Sequence, residues 1–288
     1  MNAVTIGLPV FNGQRYLRAC LDSIQAQSFT DFELIVSDNA SSDETPDIVV
    51  EYAQRDPRIR FERSLKNHGA AWNHRRVLGL ARSRYFKWCG ADDICHPQFL
   101  ERCVDALDQT PEAVLAYPKA VIIDDKGETV TRTSEHLPLD SADEVQRFAA
   151  LMSAVSITHN PFYGVIRRDA LERARPMGAY LAGDRCLMAE LSLFGPFVEV
   201  PEYLMYRRTH AGNQRNHVEL QRFFHPATPD TFRARELRVL CEHVGAVARA
   251  PVSLPTKLRL WGRVASWAVR QRVDLASEAR AFLRRSFA

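Results

Sequence analysis

Residues 85–97 read YFKWCGADDICHP. The run Tyr85–Cys89 has the length and composition of a buried strand. It empties into two adjacent aspartates, Asp92 and Asp93, and Pro97 then opens a helix carrying Phe99, Leu100, Cys103, Val104 and Leu107 at helical spacing. Neighbouring carboxylates repel, so a cation beside them is expected. Outward from this stretch the same order of strand, polar loop and helix repeats. Val4–Leu8 precedes a helix over Gly13–Gln27 with Asn12 as its N-cap. Phe32–Ser37 precedes DNASSDET, where Ser41 and Glu44 have capping-box spacing for a helix ending near Arg55. Ile59–Arg63 precedes a helix over Ala70–Ala81. Strands separated by such helices predict an α/β fold with a mostly parallel central sheet flanked by helices on both faces.

The second half is more mixed. Ala113–Ile123 and Glu128–Thr131 flank a DDKGE turn, which predicts a hairpin. Gly164–Arg167, Phe197–Val200 and Leu204–Arg208 read as short strands, and Asp184–Phe194 as an apolar helix. From about Glu219 the pattern is helical. The 288 residues, 46% hydrophobic and 25% charged, suit one large soluble domain with a helical appendage. No apolar run approaches the ~20 residues of a membrane span, and the N-terminus enters a strand pattern directly, unlike a signal peptide. The six cysteines have no zinc spacing and read as reduced structural thiols of a cytoplasmic protein. Of the 38 basic residues 33 are Arg, a usage found in GC-rich bacterial genomes. The net charge of +3 divides unevenly: residues 249–288 hold nine Lys/Arg against Asp274 and Glu278, a balance of +7, leaving −4 for the rest.

Ligands of parallel sheets bind outside the carboxyl ends of the strands. Three polar loops fall there, bringing Phe11, Asn12, Asp38, Asn39, Asp92 and Asp93 to one surface. A carboxylate pair suits Mg²⁺ or Mn²⁺, which keeps coordination sites open for substrate phosphates. The alternative is that Asp92 and Asp93 merely cap the following helix.

PVFNG after the first strand, SDNASSDET after the second and GADD after the fourth together resemble the family 2 inverting glycosyltransferases over about residues 3–210. The resemblance implies a GT-A fold, a nucleotide-diphosphate sugar donor and a divalent metal. It implies that Pro9, Phe11, Asn12, Asp38, Asn39 and Asp92 bind the nucleotide, with Phe11 against the base and Asp38 accepting from it. Asp92 and Asp93 fall on the DxD-like metal and ribose motif, though Gly90 stands where the family often has a first acid. Asp184 matches the general base of a Glu-Asp motif whose Glu is replaced by Gly183, and His210 matches a metal ligand or phosphate contact. Asp184 has a competing reading as a plain helix cap.

Arg207 and Arg208 are candidates to neutralise phosphate charge, and Phe162 and Tyr163 to line an acceptor pocket. Trp72, Asn73 and His74 depart from the family's pattern and receive no role. The expected organisation is a catalytic unit over residues 1–215, with a nucleotide half about 1–110 and an acceptor half about 111–215, followed by a basic helical extension over 216–288. The acceptor hydroxyl belongs to a glycan, a lipid-linked sugar or a small molecule. Two readings of the tail stay open: a peripheral membrane contact through 254–285, or a helical cap with solvated arginines. No nucleic-acid recognition module is present. A sugar nucleotidyltransferase would want a Gly-rich basic loop after the first strand, where only Gly13 and Arg15 stand. A nucleotide-sugar-binding module with weakened catalysis would account for the glycines at 90 and 183.

Overall fold

The computed structural model describes residues 2–133, 137–153, 160–210 and 235–286. The chain order is β1 (Val4–Val10), α1 (Gln14–Gln25), β2 (Phe32–Asp38), α2 (Thr45–Arg55), β3 (Ile59–Arg63), α3 (Ala70–Leu80), β4 (Tyr85–Trp88), β5 (Ile94–Cys95) and α4 (Phe99–Gln109). It continues with β6 (Leu115–Ile123), β7 (Thr129–Arg132), α5 (Glu144–Ser153), a 3₁₀ turn (Asn160–Tyr163), β8 (Val165–Arg167), α6 (Arg168–Arg173), α7 (Gly183–Leu191) and β9 (Phe197–Arg208). Three helices close the described chain: α8 (Arg235–Arg249), α9 (Leu254–Arg270) and α10 (Arg272–Ser286).

One sheet runs in the order β3-β2-β1-β4-β8-β6-β9-β5, with β7 paired to β6. The first four strands are parallel, so their carboxyl ends share an edge. β8 then runs antiparallel to β4 and β6, and β9 parallel to β6. β1 is buried almost throughout, as a central strand covered on both faces must be. Two apolar clusters fill the two faces. One of them takes in Val239, Ala246, Val247, Leu260, Val264 and Trp267 of α8 and α9 together with β6, α5 and α7. The last helices therefore share a core with the acceptor half.

Three local expectations are corrected. Asn12 does not cap α1: Gly13 holds that position without a side-chain cap bond, while Asn12 Oδ1 accepts from the Ser42 amide at 2.9 Å. Ser41 and Glu44 do not form a capping box, because Ser41 Oγ accepts from the Asn12 amide at 2.8 Å instead. The polar side chains stitch the two loops to each other, a cross-loop competition that local spacing does not encode. The two short strands expected at 197–208 are one strand, β9. Its pairing with β6 shifts register on both sides of Lys119, next to Pro118, which has no N–H to give to the ladder. All six cysteines are free, five of them buried. Among the described residues no helix is long and apolar enough to cross a membrane.

Packing of the C-terminal helices carries a titratable group. His243 of α8 is 2% exposed and lies edge-on between Phe148 and Trp267, at 5.6 and 5.8 Å. Burial, helped by the Arg185 charge, pushes its imidazole down from 6.5 to about 4. The folded state thus takes up the proton later than the unfolded one. The stabilisation is complete above about pH 6.5 and is lost as pH falls towards 4, by roughly 3 kcal/mol over the full window. In urea melts, His243→Phe should lose less stability than the parent between pH 7 and 4.5. A constant gap between the two proteins across that range would exclude His243 from the acid response.

Candidate active site

The site grows from the parallel edge of the sheet. β1 extends past the end of β4, since Gly7 pairs with Trp88 and Val10 faces Asp38 across β2. Phe11, just beyond, is 43% exposed, an unusual setting for a large aromatic ring. Pro9, one residue before Val10, is partly buried at the same edge. Asp38 is fully buried at the end of β2. Its Oδ1 accepts from the Ser41 amide at 3.0 Å. Its Oδ2 makes no hydrogen bond among the described residues and lies 3.2 Å from Arg63 Nε. A buried carboxylate with an uncommitted lone pair suits a ring N–H donor. Asn39 differs: its amide donates to Asn67 Oδ1 and the Gly69 carbonyl and accepts from the His68 amide, pinning the β3–α3 loop. An open groove of about 640 Å³ borders this end, lined by Arg63, Lys66, His68, Trp72 and Arg76 among others.

The Asp92–Asp93 pair occupies the loop after β4. Asp93 is buried and its Oδ1 accepts the Arg208 amide at 3.0 Å. Burial first, then the charge of Asp92, pushes its carboxyl well above the usual carboxylate range. Asp92 Oδ2 lies 3.1 Å from His210 Nε2. A Cβ at Gly90 would come within 2.8 Å of Asp93 Oδ2 and 2.9 Å of Asp92 Oδ1, the terminal atoms of two rotatable side chains that lie over this position. Among the described residues no three His, Cys, Asp or Glu side chains come together as a metal site. The Asp92 and Asp93 carboxylates are hard oxygen donors, and an ion held by one or two carboxylates completes its shell with water or substrate phosphates.

Strand alternation in β9 separates the two arginines. Arg208 turns inward: Nε donates to the Asp92 carbonyl at 3.1 Å and one terminal nitrogen to the Asp124 carbonyl at 2.7 Å, with the guanidinium 4.6 Å over the Tyr16 ring. Its role is to anchor the aspartate loop to the β6–β7 turn. Arg207 lies 5.3 Å over the Tyr163 ring, and its charge counters the rise at Asp93.

Opposite stands α7. Its N-cap is Ala182, in the left-handed region at φ 74°, so Asp184 lies inside the first turn and is not a cap. The positive end of the helix still favours an anion there. Gly183 is required by packing, since a Cβ would meet the Gly178 carbonyl oxygen at 2.4 Å. The charge of Asp184 reaches both His74 and Tyr163, and Tyr163 also senses Arg207, Asp93 and Asp92. The 3₁₀ turn packs against both β4 and α7. Lys87, buried in β4, holds that turn by donating to the Tyr163 carbonyl at 2.6 Å. Phe162 is buried and stacks on Trp88 at 4.8 Å, so it serves as wall rather than surface.

Sequence reasoning missed two residues here. His74 Nδ1 sits 2.9 Å from the Ala70 carbonyl, its own carbonyl accepts from Trp88 Nε1 at 3.1 Å, and its ring lies 6.0 Å from Phe162. Burial lowers its imidazole, and with Nδ1–H donated the neutral ring keeps Nε2 as an acceptor. Its departure from the family pattern was visible, but its place against Phe162 and Trp88 was not. Tyr16 lies 5.1 Å from the His210 ring and hydrogen-bonds Asp125, an association no local pattern signals.

Comparison with known proteins agrees with this arrangement. The profile described as glycosyl transferase family 2 matches residues 5–173, more than half of the chain. A chondroitin synthase of Escherichia coli is 26% identical over 210 residues, covering 73% of this chain and 29% of that protein. An uncharacterized protein of Mycobacterium tuberculosis is 30% identical over 212 residues, 70% of this chain and 57% of that protein. The chain therefore spans from under a third to under two thirds of these relatives. Among solved structures, Staphylococcus aureus TarS 1-349 in complex with UDP-GlcNAc superposes with a TM-score of 0.69 at 14% identity, over 96% of this chain and 79% of that one. The mannosyltransferase PcManGT of Pyrobaculum calidifontis, in complex with GDP-Man and Mn²⁺, gives 0.53 at 18% identity, over 96% and 84%. With the profile match and the acidic strand ends both in hand, this chain belongs to glycosyl transferase family 2 and has a GT-A fold.

Proposed function

We propose that the chain moves a sugar, with inversion, from a nucleoside-diphosphate donor to an acceptor hydroxyl, using Mg²⁺ or Mn²⁺. The observation that carries this reading is the polar edge of the parallel strands, where Phe11 is exposed, Asp38 Oδ2 is buried without a hydrogen bond among the described residues, and Asp92 lies 3.1 Å from His210 beside the buried Asp93. Phe11 offers its face to the base and Asp38 accepts a ring N–H. Asp92 and Asp93, with His210 beside Asp92, would hold the ion, which when bound offsets charge on the leaving diphosphate. Arg207 adds positive charge on the same side, and Tyr163 separates the two centres. Asp184 takes the proton of the attacking hydroxyl, and His74 Nε2 accepts from a sugar or acceptor hydroxyl. The solved relatives bound to UDP-GlcNAc, or to GDP-Man with Mn²⁺, support the donor class, and the similarity to a chondroitin synthase supports a glycan acceptor. With such donors the reaction belongs in the cytoplasm.

Gly183 has a packing reason of its own, since a Cβ there would meet the Gly178 carbonyl oxygen at 2.4 Å, so its lack of a side chain does not by itself mark a weakened catalyst. Purified protein incubated with UDP-, GDP- and dTDP-sugars and Mn²⁺ should release nucleoside diphosphate from at least one donor, and chelation with EDTA should stop it. Anomeric NMR of the product should show inverted configuration. Retention of configuration, or release indifferent to EDTA, would refute the mechanism.

A further inference from the structure

Helix α9 has three faces. Leu260, Val264 and Trp267 are buried against α5 and α8, which packs one face of the helix onto the rest of the fold. A different face is apolar and uncovered: Leu254, Leu258 and Val269 are 64%, 61% and 62% exposed, with Gly262 and Ala265 also exposed between them. At about 100° per residue these five positions fall within an arc of about 80°, and Arg259, Arg263 and Arg270 fall together along one margin. Trp261, partly buried, lies on the other. Single exposed leucines need no explanation, but a helical-spaced stripe rimmed by arginine does.

Charge identifies the occupant. Between Glu242 and Asp274 the chain has no acidic residue, while Arg249, Lys257, Arg259, Arg263, Arg270 and Arg272 fall in that interval. A second copy meeting this stripe antiparallel about a two-fold axis would bring like-charged arginine margins together. A bilayer with anionic headgroups complements the margin and takes up the apolar stripe at once, and Trp at such a boundary sits well at headgroup depth. The ion pair of Arg259 with Asp143, at 3.1 Å, is exposed on both sides and yields readily to a competing phosphate. We infer that the outward stripe of α9, with its arginine margin, docks the protein on an anionic lipid surface. The inference does not rest on the proposed transfer reaction, because its test contains no donor.

Full-length protein is sedimented with vesicles of phosphatidylcholine alone or mixed with phosphatidylglycerol. Partitioning to the mixed vesicles is expected to exceed that to neutral ones ~10-fold or more, and to weaken with salt. Leu258→Glu with Val269→Glu should reduce it to the neutral level. Arg263→Ala with Arg270→Ala should cost about fivefold per residue, the scale of one cation near an anionic surface. All four substituted positions are solvent-facing, so unchanged circular dichroism and melting should accompany the loss. Equal sedimentation with neutral and anionic vesicles overturns the inference, as does full binding by the Leu258/Val269 variant. A concentration-dependent dimer in ultracentrifugation that this variant abolishes also overturns it, by assigning the stripe to a second copy.

Discussion

Asp184→Asn is expected to reduce transfer by ~10²-fold or more, the usual scale for a general base, while donor affinity stays near that of the parent. The substitution keeps the size of the side chain and leaves the Ala182 cap and the Gly183–Gly178 approach untouched. What disappears is a carboxylate in the first turn of α7 whose charge reaches His74 and Tyr163. An amide cannot take a proton from the acceptor hydroxyl, but it does not disturb Phe11, Asp38 or the aspartate pair on the donor side. Isothermal calorimetry with the nucleoside diphosphate should therefore give matching affinities, and initial rates should separate the two proteins. The expected pattern is a fall in kcat with the donor KM held. A variant that transfers at the parental rate removes Asp184 from the chemistry. One that loses donor affinity to the same degree as rate makes Asp184 a binding group instead.

The parallel half of the fold was legible because its signals are local. Each of β1 to β4 is an apolar run ended by polar residues, and each following helix has a clear buried stripe. The caps were misread for a reason of reach: Asn12, Ser41 and Thr45 find partners in the neighbouring loop, so distance along the chain does not reveal them. β5 went unseen, since two residues, Ile94 and Cys95, owe their strand state to pairing with Tyr206 and Met205. The same limit applies to function. The acids at the strand ends could be read from spacing, whereas the division of labour between Arg207 and Arg208 depends on the register of β9. That register is set by Lys119 and its neighbours in β6, far away in sequence. His74 needed the third dimension too, because only the approach of Phe162 to its ring and the bond from the Trp88 indole to its carbonyl place it in the site.

Replacing both Asp92 and Asp93 by Asn is expected to abolish metal-dependent nucleotide binding. Asn suits this test better than Ala. Asp93 Oδ1 accepts the Arg208 amide, and an amide oxygen preserves that acceptor, so the anchor between the aspartate loop and β9 survives. The change removes two carboxylates, and burial, then the charge of Asp92, already penalises the ionised form of Asp93. In metal-free buffer the variant should consequently melt no lower than the parent, and higher if repulsion outweighs the lost contact between Asp92 and His210. With Mn²⁺ present, calorimetry with UDP, GDP and dTDP should show at least ~100-fold weaker binding of the preferred nucleotide by the variant, the loss expected when both charged ligands of a hard cation become neutral. With EDTA the two proteins should bind equally weakly. Parental affinity in Mn²⁺ despite the missing charges would reduce the pair to a structural loop, and a fall in melting temperature without a change in binding would do the same.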